Sequence, residues 1–294
     1  MPRPPVRPPA LRGRVFRGTW ALQTGVLTPD QLRSSAWRRL RRDVYADAAL
    51  PVDHRLLVSG VGLVAPKGAV FSGLSALVLA GGDAFAAPGD PVEVTLPAGE
   101  RWRAVPGVRV RTALLAEDDV VVGRLGLART GPGRTALDLV RRGPVDEAVV
   151  LLDQLVVAGL ADLAGLRVAA AALPRCRGSA VAREVTRLAD GLAESPQETR
   201  LRLLLLRAGF PPPVPQFRVF DGEGFIGRVD FAYPELKIAI EYDGLWHAEP
   251  GQFAKDRGRL NRLLAAGWRV IFVTAADLHR PSRLLARVAA ELAR

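Results

Sequence analysis

The chain of 294 residues is poor in several residue types, and each shortage excludes something. It has one cysteine, Cys176, which excludes an intramolecular disulfide and a cysteine-based zinc site. Lysine is nearly missing: only Lys67, Lys237 and Lys255 stand among 41 basic residues, so the positive charge is carried by arginine. Long apolar runs are missing too. LRLLLL (201–206) is far shorter than the about 20 residues that cross a bilayer, and no membrane role is expected. The opening MPRPPVRPPALRGR is basic and Pro-rich without an apolar core, so it does not read as a secretory signal. A cytoplasmic protein is expected.

What is present is a globular composition, 49% hydrophobic and 24% charged, with a net charge of +11. At about 100–200 residues per domain, two or three domains are expected. The charge is uneven. Residues 1–50 hold ten Arg and three Asp, a net +7, leaving +4 for the other 244. A field of this kind favours polyanions such as nucleic acids. The Arg-, Ala- and Gly-heavy composition also fits GC-rich coding, which would give a basic chain without any partner.

Local patterns divide the chain into four stretches. Residues 1–14 read as a disordered basic arm. Residues 15–50 read as a small winged-helix-like module: TWALQTG suits a short helix, Thr28-Pro29 an N-cap followed by the first helical residue, and WRRLRRDVYAD a basic strand or wing. Arg38, Arg39, Arg41 and Arg42, interleaved with Trp37 and Tyr45, are the candidate DNA contacts; the alternative is a solvated basic face. Residues 51–190 read as an α+β middle region of unassigned role. Its SGLSA lacks the Gly-x-Ser-x-Gly form of a nucleophile elbow, and GPGRTALD lacks the Gly-Lys-Ser/Thr ending of a P-loop.

Residues 191–294 read in the order α-β-β-β-α-β-α. Here GRVDFAYPELKIAIEYDGLWH places three acids, Asp230, Glu241 and Asp243, among residues that otherwise suit buried strands. Side chains alternate along a strand, so Lys237, Ala239, Glu241 and Asp243 share one face, and Ile238, Ile240 and Tyr242 the other. A tight hairpin brings Asp230 beside them. Carboxylates held that close repel unless a proton or cation intervenes, and hard oxygen donors suit Mg²⁺ or Mn²⁺. Each residue also has a plainer role. Glu198 is N3 of a Ser-x-x-Glu capping box. Asp230 can pair with Arg218 or Arg228, Asp243-Gly244 is a common turn, and His247 can simply be packed. Asp256 and Arg259 make an i,i+3 pair worth about 0.2–0.5 kcal/mol. His54 and His279 fall in no metal spacing.

The ordered set Glu198, Asp230, Glu241-x-Asp243-Gly244-x-x-His247, then Asp256 and Arg259 in KDRGR and GWRVIFVT, resembles the PD-(D/E)XK nuclease superfamily. More narrowly it is similar to the domain-of-unknown-function 559 family, related to very-short-patch repair endonucleases, over residues 194–294. The N-terminal FRGTWALQTGVLTPDQLRSSAWRRLRRDVYAD with GAVFSGLSALVLAGG resembles AbiEi-type, antitoxin-like winged-helix proteins. The resemblance implies a mixed α/β chain with a restriction-endonuclease-like C-terminal core and a small N-terminal winged helix. It implies a metal-dependent DNA endonuclease with catalytic Glu198, Asp230, Glu241, Asp243 and His247, and Mg²⁺ or Mn²⁺ on Asp230, Glu241 and Asp243. Lys255 and Arg259 join the four N-terminal arginines as DNA-binding candidates. Asp243 stands where the superfamily usually has Lys, and Lys237 is the nearest substitute. That departure motivates a rival reading: a DNA-binding regulator or antitoxin-like protein whose nuclease fold is inactive. A homodimer and a toxin or defence-system partner remain open.

Overall fold

The computed structural model describes residues 5, 7–103, 106–123, 126–243 and 252–294, without the side chains of 252–255. The chain is a mixed α/β protein that divides into two compact units, Met1–Leu139 and Val140–Arg294.

The first unit opens with β1 (Val15–Arg17), α1 (Gly18–Gln23), α2 (Pro29–Leu32), β2 (Trp37–Arg41) and β3 (Val44–Asp47). The three strands form an antiparallel sheet in the order β1-β3-β2. WRRLRRDVYAD is therefore a hairpin rather than one strand. Asp43 turns it with φ of 60°, and its carboxylate accepts hydrogen bonds from the backbone and hydroxyl of Thr19. Thr28 caps α2 in a reciprocal box with Gln31. The expected disordered arm is a correction: Pro9–Leu11 is a 3-10 turn and Leu11 is buried beside Phe16, Ala21 and Trp37. Arg7 pairs with Asp47, which also accepts the Gly13 N–H. Residues 1–4 and 6 lie outside the described residues.

There follow α3 (His54–Gly62), β4 (Val70–Phe71), α4 (Gly73–Leu79), β5 (Val92–Leu96), β6 (Val108–Thr112), β7 (Val120–Val122), β8 (Ala128–Thr130) and α5 (Pro132–Val140). The strands make a second sheet, β6-β5-β4-β8-β7. Its core joins Val58 and Val61 of α3 to Phe71, Val92, Val94 and Leu96. His54 is buried, with Nε2 2.9 Å from Ser75 Oγ, the structural role expected of it.

The second unit contains α6 (Val145–Val157), α7 (Leu163–Ala172), α8 (Ser179–Leu188), α9 (Pro196–Arg207), β9 (Val214–Asp221), β10 (Gly224–Tyr233), β11 (Ile238–Tyr242), α10 (Gln252–Ala265), β12 (Arg269–Val273), α11 (Ala275–His279) and α12 (Ser282–Leu292). A C-terminal domain confined to 191–294 is a further correction, because α6 belongs with it. Asp153 of α6 is fully buried and accepts from Arg202 Nη2 at 2.7 Å and Thr199 Oγ1 at 3.0 Å, both on α9. It also accepts the backbone N–H groups of Asp190 and Gly191. One carboxylate with four donors binds the helices to the sheet domain, because leaving any of these buried groups unpaired would be costly.

The four strands are ordered β12-β11-β10-β9, with β11 and β12 parallel and the rest antiparallel. Both faces are covered. Ile238 and Ile240 pack with Leu201 and Leu205 of α9 and Leu284 and Val288 of α12. Ala239 packs on the other side with Leu263 and Trp268. An acid in such a sheet needs a polar setting at a strand end, and that is where the acids stand.

Candidate active site

Asp230 sits where the β10–β11 ladder stops. The last paired residues are Phe231 and Ile240, so the N–H of Tyr242 has no strand partner there. Asp230 Oδ2 accepts it at 2.7 Å. Burial pushes the Asp230 carboxyl up to about 6, and the charges of Glu198 and Glu241 add to the rise against the Tyr242 hydrogen bond and Arg259. The structure thus brings Glu198, Asp230 and Glu241 into one electrostatic neighbourhood, drawn from α9, β10 and β11.

Glu198 is buried at the start of α9. Ser195 Oγ accepts its N–H at 3.2 Å, as the capping pattern requires. Its carboxylate does not complete the reciprocal box. Oε2 instead accepts the N–H of Glu194 and the side-chain amide of Gln216, both at 2.9 Å. Gln216 has φ of 50°, a left-handed conformation that costs a non-glycine residue roughly 1–3 kcal/mol. Sequence reasoning missed this residue. Its signal was weak: a polar side chain at an alternate position of β9, with a function that depends on a partner 18 residues away.

Glu241 is held by Arg259 of α10 in a bidentate pair, Nη1 to Oε1 at 2.8 Å and Nη2 to Oε2 at 2.7 Å. This pair, with burial opposing it, raises the guanidinium pKa further. Gly227 makes room for it, since a Cβ there would meet Arg259 Cδ at 2.8 Å. The expected Asp256–Arg259 pair gives way to this geometry, because a planar fork facing a carboxylate outcompetes an exposed i,i+3 contact.

Three placements correct the sequence reading. Lys237 is not on the site's strand face. It has φ of 49° before β11, and its Nζ donates to Ala266 O at 3.0 Å, at the opposite end of the strand from Glu241. Asp243 is exposed, its N–H donating to Val273 O at 2.7 Å to extend the parallel pairing. Among the described residues no three of His, Cys, Asp and Glu are arranged as a ready metal cage, so the set Asp230, Glu241 and Asp243 is not assembled as a triad. His247 lies outside the described residues, as does the Lys255 side chain. A cavity of about 270 Å³ is lined by Glu241, Tyr242, Asp243, Asp256, Arg259 and Phe272, among others.

The N-terminal arginines also divide. Arg39 and Arg42 are exposed. Arg38 donates to Leu50 O at 2.9 Å and Ala48 O at 3.3 Å, so its guanidinium serves the hairpin. Arg41 is half-buried and burial lowers its pKa. Trp37 and Tyr45, expected at a DNA face, pack on Phe16, edge-on at 5.1 Å and stacked at 6.1 Å. Their aromatic area stabilises the small core, leaving Arg39 and Arg42 as the accessible pair.

No family model matches the chain. Two curated proteins of Mycobacterium tuberculosis, the uncharacterized proteins MT2308 and Rv2248, are each 34% identical over 201 residues, 68% of this chain and 73% of the relative. The chain belongs to their family. The match covers about two thirds of this chain. The crystal structure of RV2827C protein from Mycobacterium tuberculosis covers 72% of this chain and 85% of that chain, with 17% identity and a TM-score of 0.40. No helix among the described residues is long and apolar enough to cross a membrane.

Proposed function

We propose that the second unit is a phosphodiesterase that hydrolyses DNA with Mg²⁺ or Mn²⁺, and that the basic first unit docks the DNA. Asp230 carries this reading: a largely buried carboxylate beside Glu198 and Glu241, raised to about 6. Acids crowded around such a group favour a proton or a hard cation between them. The donors are oxygen throughout, as such an ion prefers, and binding must draw them together, since no three acids among the described residues form a ready cage. Asp230 Oδ1 and Glu198 Oε1 have no hydrogen-bond partner among the described residues, while Glu241 must exchange Arg259 for the ion. Asp230 and Glu241 would hold it, with Glu198 in support and Asp243 at the rim. When bound, it would lower the pKa of a water and offset charge at the phosphate.

The chain's own residues do the rest. The Tyr242 N–H orients Asp230, and Gln216 orients Glu198. Arg259, once parted from Glu241, is placed to take a phosphate oxygen through its fork. The general acid/base role expected of His247 falls outside the described residues. The test is plasmid cleavage in Mg²⁺ or Mn²⁺ by wild type and Glu241→Ala. Metal-dependent nicking by wild type alone is expected. No cleavage of supercoiled, linear or single-stranded DNA by either protein would rule it out for these substrates.

A second reading is favoured by the Arg259–Glu241 pair and by Asp243 in place of Lys: a silent nuclease fold in a DNA-binding regulator. It requires DNA binding that is unchanged by EDTA and by Glu241→Ala.

A further inference from the structure

The β9–β10 hairpin carries an aromatic pair that no core absorbs. Phe220 and Phe225 are direct cross-strand partners, with ring centroids 5.5 Å apart. They remain 57% and 47% exposed. Two exposed phenylalanines side by side are not the scattered single apolar residues usual on a surface. The Arg218 guanidinium lies over both rings, 5.7 Å from the Phe220 centroid and 4.9 Å from that of Phe225. Arg228 stands directly opposite Arg218 in the register. Like charges in that relation destabilise a hairpin; Glu194 offsets part of the repulsion in the free protein, and an anionic partner would offset more. Arg228 meanwhile pairs with Glu194, an exposed contact that is readily exchanged. Asp221, held by a bidentate Arg262, ties the hairpin to α10 and keeps the rings in place.

The surface runs toward Glu198. Val219 points into the core, so Arg218 and Phe220 lie on the other side of β9. Two residues before Arg218 is Gln216, whose amide holds Glu198. At about 3.3 Å per residue, Phe220 is roughly 13 Å along the strand from Gln216.

We infer that this hairpin is a stacking platform for the unpaired bases of single-stranded DNA, with Phe220 and Phe225 taking base faces and Arg218 and Arg228 the phosphates. Arginine beside aromatic rings is the combination by which single strands are held without reading sequence. That the strand then runs to the acids rests on the nuclease reading; the binding itself does not.

The experiment uses the full chain. Fluorescence anisotropy of labelled oligo(dT) and of a blunt duplex is followed in EDTA at fixed salt, for wild type, Phe220→Ala, Phe225→Ala and Phe225→Tyr. Stacking of about 1–3 kcal/mol per base implies a loss of about 5- to 150-fold for each alanine variant on oligo(dT). Duplex affinity should stay within about twofold, as should Phe225→Tyr on oligo(dT), which keeps its π-face. Unchanged thermal melting of these surface variants checks folding. The inference is overturned if wild type does not bind oligo(dT), or if both DNA forms weaken in parallel. It is also overturned if the alanine variants only dissociate a dimer in sedimentation. Cleavage assays on the same proteins separate the two proposals. Metal-dependent cleavage without an alanine effect on oligo(dT) sinks the platform alone; the alanine effect without any cleavage sinks the nuclease alone.

Discussion

Asp230 is the residue whose environment is easiest to test. Its folded pKa of about 6 lies above the ordinary value of 3.8, so the folded state holds this proton more tightly than the unfolded state. The sign follows: the penalty is absent below about pH 4, grows between pH 4 and 6, and is full above pH 6. The two-unit rise corresponds to about 3 kcal/mol at most. Asp230→Asn keeps an acceptor for the Tyr242 N–H and removes the charge. It should therefore raise stability to urea at pH 7.5, with the gain vanishing near pH 4. On the nuclease reading, Mn²⁺ competes with that proton. Calorimetric Mn²⁺ affinity should climb up to tenfold per pH unit below 6 and level off above it, and Asp230→Asn should abolish the climb. Arg259 gives the complementary case. Arg259→Ala leaves Glu241 partly buried and unpaired, a loss of about 1–3 kcal/mol. Mn²⁺ should return much of this stability in a melting experiment, and no rescue by the ion would count against Glu241 as a ligand.

At the scale of elements, the site depends on how α6 and α9 are joined to the sheet. Asp153 holds Arg202, Thr199 and two loop N–H groups from a fully buried position. Asp153→Ala should cost about 3 kcal/mol or more in urea unfolding, because the Thr199 hydroxyl and two loop N–H groups lose their acceptor and buried Arg202 keeps only Asp190 as a counter-charge. Ser195→Ala, which removes only the α9 N-cap, should cost about 1 kcal/mol. A larger effect of Ser195→Ala would mean that the cap also holds Glu198 in place. The elements themselves were readable in advance. DGEG marked the β9–β10 turn, and Gly209 with Pro211–Pro213 marked the end of α9, because these residues punctuate the chain locally. Membership of α6 in the second unit was not readable, since it rests on Asp153 meeting residues 46 and 49 positions away.

At the scale of the whole molecule, net charge is a statement about partners and their salt dependence rather than about fold. If the first unit docks DNA, Arg39 and Arg42 are its exposed contacts. Arg39→Ala with Arg42→Ala should lower affinity uniformly over DNA sequences and reduce the slope of log K against log salt by about two. Arg38→Ala should act differently, destabilising the hairpin through the lost Ala48 and Leu50 carbonyl contacts. An equal effect of all three on the salt slope would return Arg38 to the DNA face.

The sequence by itself determined the alternation of strands and turns and the order of elements in the last hundred residues; that Glu198 joins Asp230 and Glu241 was decided by the fold. Periodicity, glycine, proline and caps act over a few residues, so they are legible in a linear text. Only the tertiary structure decided that Arg259 claims Glu241, that Gln216 holds Glu198, that Lys237 serves the far end of β11, and that Trp37 belongs to a core. Those outcomes depend on which remote groups meet and on how far burial raises the cost of leaving each one unpaired, and neither is written in local spacing.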